Sequence, residues 1–281
     1  MKFLIKANFT KENSPKVTSE VLTLLLKEKN SVKFCKEDTP FPSDFSNVET
    51  ILAEEGIKWC DAIITVGGDG TLLSISKLAS DYNKPILGIN AGRLGFLTAI
   101  EGNQIELLDE FFAGDAFRLK KHYFLQVRVN NSNRKYCLND VAISKNMFSN
   151  TVDLSIFSDG SQLTQFLGDG IIVATPTGST AYSLSVGGPV VDIDLRAMII
   201  SPVAPHSLKT PSIVLDKNKE LTIKINSDDE KASYASFDGA NHTKLKKGDI
   251  ITVRIGSKFV SIYTYGTMGQ FEKVDKKLKS R

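Results

Sequence analysis

The chain has 281 residues, with 35 Lys and Arg against 32 Asp and Glu, for a formal net charge of +3. Hydrophobic residues at 41% and charged residues at 24% describe a folded globular protein of one large domain or two modest ones, and exclude a fibre or a disordered chain. The basic excess gathers at Lys273, Lys276, Lys277, Lys279 and Arg281, which reads as a solvated tail rather than a nucleic-acid footprint.

In chain order, Phe3 to Ala7 is a short apolar strand. Lys16 to Lys27 carries Val17, Val21, Leu22, Leu24, Leu25 and Leu26, an amphipathic helix pattern. Ser31 to Cys35 reads as a strand, Pro40 and Pro42 mark a loop, and Val48 to Glu55 reads as a short helix. Asp61 to Val66 is a buried strand ending in Gly67 and Gly68. A helix over Thr71 to Ser80 and a strand over Pro85 to Ile89 follow. Such alternation implies a parallel sheet covered by helices. From about residue 118 the segments become strand-like: Phe124 to Val129, Val152 to Phe157, Gly170 to Ala174, Leu221 to Ile225 and Ile250 to Ile255. Turn signals at Asn130-Asn131, Asp159-Gly160 and Lys247-Gly248-Asp249 separate some of them. Phe271 to Leu278 reads as a closing helix. The expected fold is an α/β, Rossmann-like N-terminal domain with a parallel sheet over residues 1–117. A mainly antiparallel, β-rich domain follows over 118–256, and the tail 257–281 packs back onto the first.

Cys35, Cys60 and Cys137 fit neither zinc nor redox-pair spacing, so buried free thiols in a reducing, cytoplasmic compartment are expected. His122 and His242 stand alone and suggest no metal site. The start of the chain lacks the marks of a signal peptide, and no apolar run reaches about 18 residues, so no membrane partner is expected.

Chemistry concentrates in two segments. Gly67-Gly68-Asp69-Gly70-Thr71 sits where a buried strand ends and a helix begins. Glycines there let backbone amides approach an anion, and the helix amides add to the site. Asp69 suits accepting a hydroxyl proton or helping to hold Mg²⁺, not binding phosphate itself. The plainer reading is that Asp69 or Thr71 caps the helix. No Walker A, HRD or DFG pattern is present, so phosphoryl transfer would use another architecture. The second segment is Gly168-Asp169-Gly170 through Thr175-Pro176-Thr177-Gly178-Ser179-Thr180-Ala181-Tyr182 to Gly187-Gly188-Pro189. Its four hydroxyl side chains offer donors to ribose and phosphate oxygens.

A strand followed by GGDGT resembles NAD kinases, diacylglycerol-type lipid kinases and sphingosine kinases, and more distantly phosphofructokinases. Leu87-Gly88-Ile89-Asn90 with Gly92-Arg93-Leu94-Gly95-Phe96-Leu97, Asn139-Asp140, the GSTAY stretch, Pro205-His206-Ser207-Leu208 and Phe237-Asp238-Gly239 resemble, in order, segments of the NAD kinase family, bacterial type. The resemblance implies transfer of the γ-phosphate of ATP to the 2′-hydroxyl of the adenosine ribose of NAD, giving NADP. It implies Asp69 as the catalytic base and Gly67, Gly68, Gly70 and Thr71 around the phosphates. Phe96, Asn139, Asp140, Asp169, Thr180, Ala181, Tyr182 and Ser185 would contact the dinucleotide. ATP would carry the Mg²⁺, no protein metal site is implied, and the chain would be a homo-oligomer, a dimer or tetramer. Phe96 also reads as a core residue and Asn139-Asp140 as a turn. His206 reads as architectural, and Asp238 as a hairpin residue or ligand neighbour. Two departures stand out: Asp140 where Glu is commoner, and Leu167 where relatives carry a basic residue two places before Asp169. The alternatives are a lipid or sphingoid kinase sharing GGDGT and a non-catalytic dinucleotide sensor.

Overall fold

The computed structural model describes the chain except residues 39–40, 42–44, 46, 93–94, 115, 147–150, 208–209, 228–232, 267–269 and 280–281. Pro40, Pro42, Arg93, Leu94, Leu208 and Arg281 therefore lie outside the described residues, as do the side chains of 270 and 277–279. The chain divides into two compact units, Met1–His122 with Val260–Arg281, and Tyr123–Phe259.

The first unit begins with β1 (Lys2–Ala7), α1 (Ser14–Lys27), β2 (Ser31–Cys35), β3 (Thr50–Ile51), α2 (Ala53–Trp59), β4 (Ala62–Gly67) and α3 (Asp69–Asp81). It continues with β5 (Ile86–Asn90), β6 (Ile100–Glu101), α4 (Leu107–Ala113) and the start of β7 (Phe117–Val129). Strands run in the order β5-β4-β1-β2-β3, every pair parallel. All six residues of β4 are buried, as expected of a central parallel strand with both faces covered. Helix α1 has Pro15 in its first turn, where a missing N–H costs nothing, and buries Val17, Val21 and Leu25 along one stripe.

The helix expected over Val48 to Glu55 is instead strand β3 followed by α2. The β-branched pair Thr50-Ile51 registers against Phe34 and Cys35 of β2, and this pairing overrides local helical spacing.

The second unit takes the rest of β7, then β8 (Lys135–Cys137), β9 (Asp140–Lys145), β10 (Val152–Ser158), β11 (Ser161–Gly168) and β12 (Gly170–Ala174). A 3-10 turn at Thr177–Thr180 and the short α5 (Tyr182–Ser185) follow. Next come β13 (Ala197–Val203), β14 (Ile213–Asp216), β15 (Leu221–Ile225), β16 (Ser233–Phe237), β17 (Ala240–Leu245) and β18 (Ile250–Tyr265). Antiparallel strands β11-β10-β15-β18 and β14-β13-β12-β9-β16-β17 supply the two inner faces. Leu154, Ile156, Ile223 and Val253 from one meet Val141, Ile143, Ile171 and Val173 from the other in a shared core. Ile172 and Ala174, on the other face of β12, are buried with Val191 and Ile199. Burial on both faces explains why Gly170 to Ala174 reads as an unbroken apolar run. At the Asp159-Gly160 turn both residues take positive φ, 47° and 82°, as a two-residue hairpin requires.

The chain returns to the first unit through the end of β18, where Ile262 lies parallel to Ile86, and closes with α6 (Gln270–Lys279). The basic tail is therefore helical where described, and Val274 at 7% exposure is part of the packed interior. All three cysteines are free and buried. Among the described residues no helix is long and apolar enough to cross a membrane.

A Cβ at Gly170 would overlap the carbonyl oxygen of Ile143 on the neighbouring strand. Gly170→Ala is expected to destabilise the protein by about 1–3 kcal/mol, read as a lower urea midpoint with an unchanged slope.

Candidate active site

In the first unit, the site is built at the end of β4. Gly68 is the N-cap of α3 and, as a glycine, supplies no side-chain cap bond. Asp69 does not cap its own helix. Its Oδ2 accepts the backbone N–H of Phe96 at 2.9 Å and its Oδ1 that of Leu97 at 3.1 Å. One carboxylate thus ties the GGDG turn to the loop after β5. The fit depends on glycine, because a Cβ at Gly95 would sit 2.6 Å from both Asp69 Oδ1 and Thr98 Oγ1. A Cβ at Gly67 would collide with Thr71 Oγ1, whose buried hydroxyl has no partner among the described residues. Thr71 therefore packs beneath the turn rather than capping the helix. Above Gly70 there is open space, so no described residue demands a glycine there. Phe96 is half-buried.

Three side chains of this unit, Lys11, Glu101 and Lys273, lie outside every motif read from the sequence. Lys11, in the loop after β1, reaches over the turn, and a Cβ at Gly68 would lie 2.7 Å from its Nζ. Asn90 donates to Glu101 Oε2 at 2.6 Å while its Oδ1 accepts the Gly92 amide at 3.1 Å. These residues edge a depression of about 410 Å³ lined also by Asn13, Lys16 and Gly102. Lys273, expected in a solvated tail, instead donates to the Thr98 carbonyl at 3.4 Å. Burial pulls its ammonium below the usual lysine range, against the opposing pull of Glu101 and Asp69. No local pattern could have placed a C-terminal lysine beside residue 98.

In the second unit, Asp238 organises the segment carrying Asn139 and Asp140. It sits at a hairpin with φ of 49°. Its carboxylate accepts the amides of Leu138 at 2.8 Å, Asn139 at 2.8 Å and Asp140 at 3.1 Å. Asn139-Asp140 is therefore a strand entry held from below by a carboxylate, not a free turn. Asp140 is 5% exposed. Burial, and then the Asp238 charge, push its carboxyl up to about 7. Asp238 is also raised by burial, with its three amide bonds opposing.

Three hydroxyls of the loop donate to backbone carbonyls, two of them within the loop itself. Thr175 Oγ1 donates to the Leu138 carbonyl at 2.5 Å and accepts the Gly178 amide at 2.9 Å. Ser179 donates to Pro176 at 2.6 Å and Thr180 to Thr177 at 3.3 Å. These hydroxyls shape the loop; Thr175 and Ser179 are fully buried, and Ser179 also accepts the Val191 amide at 3.2 Å. Gly178 lies against the backbone of Asn139, where any Cβ would overlap the Asn139 carbonyl. The structure thus brings the Thr-Pro-Thr-Gly-Ser-Thr loop and Asn139-Asp140 together. Ala181 is half-buried, and Tyr182 and Ser185 are exposed on α5. Asp169 pairs with Lys145, Nζ to Oδ1 at 2.7 Å. A cation thus stands beside Asp169 although Leu167 is 47% exposed and apolar. His206 is exposed and donates its backbone N–H to Leu167 at 2.8 Å. Among the described residues, no group of three or more His, Cys, Asp or Glu is placed to hold a metal.

Two outcomes follow for this unit. Asp140 has a folded-state pKa above its unfolded one, so its stabilising contribution is complete below about pH 4 and lost as pH rises through about 7. Asp140→Asn should therefore raise Tm at pH 8.5 relative to wild type and leave it nearly unchanged at pH 4; an equal shift at both pH values would contradict the assignment. Asp238→Ala removes the acceptor of three amides and is expected to cost about 2–4 kcal/mol by urea unfolding.

Residues 3–116 match the ATP-NAD kinase N-terminal domain and residues 138–265 the ATP-NAD kinase C-terminal domain. A relative named NAD kinase from Caldicellulosiruptor saccharolyticus is 32% identical over 273 residues, covering 97% of each chain. The crystal structure of yeast NADH kinase complexed with NADH is similar at a TM-score of 0.85 and 25% identity, over 99% of this chain and 87% of that one. An NAD kinase from Archaeoglobus fulgidus in complex with ATP, 24% identical, shares the fold at a TM-score of 0.75 over 100% of both chains. These likenesses do not favour a lipid or sphingoid kinase or a non-catalytic sensor. With both of its domains matched and in order, the chain belongs to the ATP-NAD kinase family.

Proposed function

We propose that the chain transfers the γ-phosphoryl group of ATP to the 2′-hydroxyl of the adenosine ribose of NAD, releasing NADP and ADP. ATP enters as its magnesium complex, so the metal belongs to the substrate. The 2′-oxygen forms a bond to the γ-phosphorus, the bond from that phosphorus to the β,γ-bridging oxygen breaks, and the hydroxyl proton passes to Asp69. The observation that carries this reading is the Asp69 carboxylate. Each of its oxygens accepts one loop amide and retains a lone pair for a hydroxyl. A carboxylate is a weak base, so much of the rate would come from holding hydroxyl and phosphorus in line.

The start of α3, which has no side-chain cap, lies among Gly67, Gly68, Gly70 and Thr71, and with the Lys11 ammonium beside Gly68 it suits the anionic phosphates. Phe96, Asn139, Asp140, Asp169, Thr180, Ala181, Tyr182 and Ser185 are taken as dinucleotide contacts. A neutral Asp140 carboxyl both donates and accepts, which suits the edge of a purine. We take the tail 257–281 as part of the N-terminal domain. We take the working protein as a cytoplasmic homo-oligomer, a dimer or tetramer, on the family resemblance; buried free thiols suit a reducing compartment.

NADP formation from NAD and magnesium-ATP, coupled to an NADP-specific dehydrogenase, tests the reading. Asp69→Asn is expected to lower kcat by about 10²–10⁴-fold with NAD affinity within about threefold of wild type. Turnover by the variant near the wild-type rate would remove Asp69 from the role of base.

A further inference from the structure

The loop carrying Gly95 to Thr98 is held from two directions. From α3, the Asp69 carboxylate takes the N–H groups of Phe96 and Leu97 at 2.9 and 3.1 Å. From α6, the Lys273 ammonium donates to the carbonyl of Thr98 at 3.4 Å. Helix α6 treats its lysines differently. Lys276 pairs with Glu272 at 3.7 Å, both side chains more than half exposed. Lys273 turns inward beside the buried Val274. Taking an ammonium out of water is costly unless charge and hydrogen bonds compensate. Here the compensation comes from Glu101 and Asp69, with the Thr98 carbonyl as acceptor. A lysine serving only solubility or helix propensity would stay in solvent, as Lys276 does.

We infer that Lys273 is a positioning residue for phosphoryl transfer: its ammonium, bonded to the Thr98 carbonyl, fixes the loop whose amides aim the Asp69 carboxylate. The inference rests on the reading of Asp69 as the acceptor of the hydroxyl proton. It places part of the catalytic support on the last helix of the chain, about 200 residues after the motif it serves. Without the cation, the Thr98 carbonyl loses a donor, and Asp69 and Glu101 share a poorly solvated corner with less positive charge to offset them. The loop amides would then drift from the carboxylate. Misplacement of this kind is felt in the chemical step more than in binding.

The test compares Lys273→Met with Lys273→Arg in the full chain, with NAD and magnesium-ATP as substrates and Tm recorded for each. Lys273→Met is expected to lower kcat by about 10–100-fold while KM for NAD and for ATP stay within about threefold. Lys273→Arg keeps the charge and a donor, and should stay within about fivefold of wild-type kcat. In Lys273→Ala, propylammonium added to the assay should recover activity where 1-propanol does not. Should Lys273→Met fail to fold, Lys273→Gln, which keeps a donor but no charge, replaces it against Lys273→Arg. Unchanged kcat in the neutral variants overturns the inference and leaves the parent reading intact. A rise in KM for ATP with kcat preserved also overturns it, since Lys273 would then be a phosphate ligand. A wild-type chain unable to make NADP would bring down both.

Discussion

A carboxylate that takes several backbone N–H groups from residues far away in the chain is the constraint on which this molecule's chemistry rests, and it recurs in both units. Asp69 bonds the amides of Phe96 and Leu97, and Asp238 those of Leu138, Asn139 and Asp140. Backbone amides inside a protein need an acceptor, and a charged acceptor makes the strongest such bond. Each carboxylate therefore does the work of a short secondary-structure element. Asp69 fixes a loop and Asp238 the entry to β9, and each does so through geometry that a one-atom change in side-chain length would spoil.

The two carboxylates differ in what surrounds them. Asp69 is half-buried, with Lys11 over the neighbouring turn and Lys273 nearby. Asp238 is deeply placed beside a second carboxylate, Asp140, and the pair raises the cost of carrying two negative charges. The first arrangement keeps a carboxylate accompanied by cations, as proton acceptance from a hydroxyl beside phosphates would need. The second holds a carboxyl near the point of losing its proton, where it can donate as well as accept.

Close backbone approach is the other recurring device. Gly95 over Asp69, Gly178 over Asn139 and Gly170 against Ile143 all stand where a single methyl group would meet fixed atoms. The hydroxyls of Thr175, Ser179 and Thr180 then tie the loop to nearby carbonyls. The density of Thr and Ser in that stretch reflects internal bracing, since Thr175 and Ser179 are fully buried. Such loops are rigid before any ligand arrives, which reduces the ordering that binding must accomplish.

Much of this was legible in the residues themselves. Apolar runs such as Ala62 to Val66 and Gly170 to Ala174 mark buried strands, because burial on both faces leaves no alternation to disguise. The Val17, Val21 and Leu25 spacing marks α1, and the Gly-rich turns mark where strands end. The change from helix-strand alternation to strands alone marks the shift from a parallel to an antiparallel sheet. Tertiary structure alone decided the rest. Thr50-Ile51 became a strand because β2 offered a partner. Asp69 became a loop anchor rather than a helix cap because Gly95 let another loop descend onto it. Lys145 beside Asp169, Asp238 beneath Asn139 and Lys273 beside Thr98 are meetings of residues far apart in the chain. Local periodicity records how a segment buries its own face, and carries no information about which distant side chain will supply its missing charge or hydrogen bond.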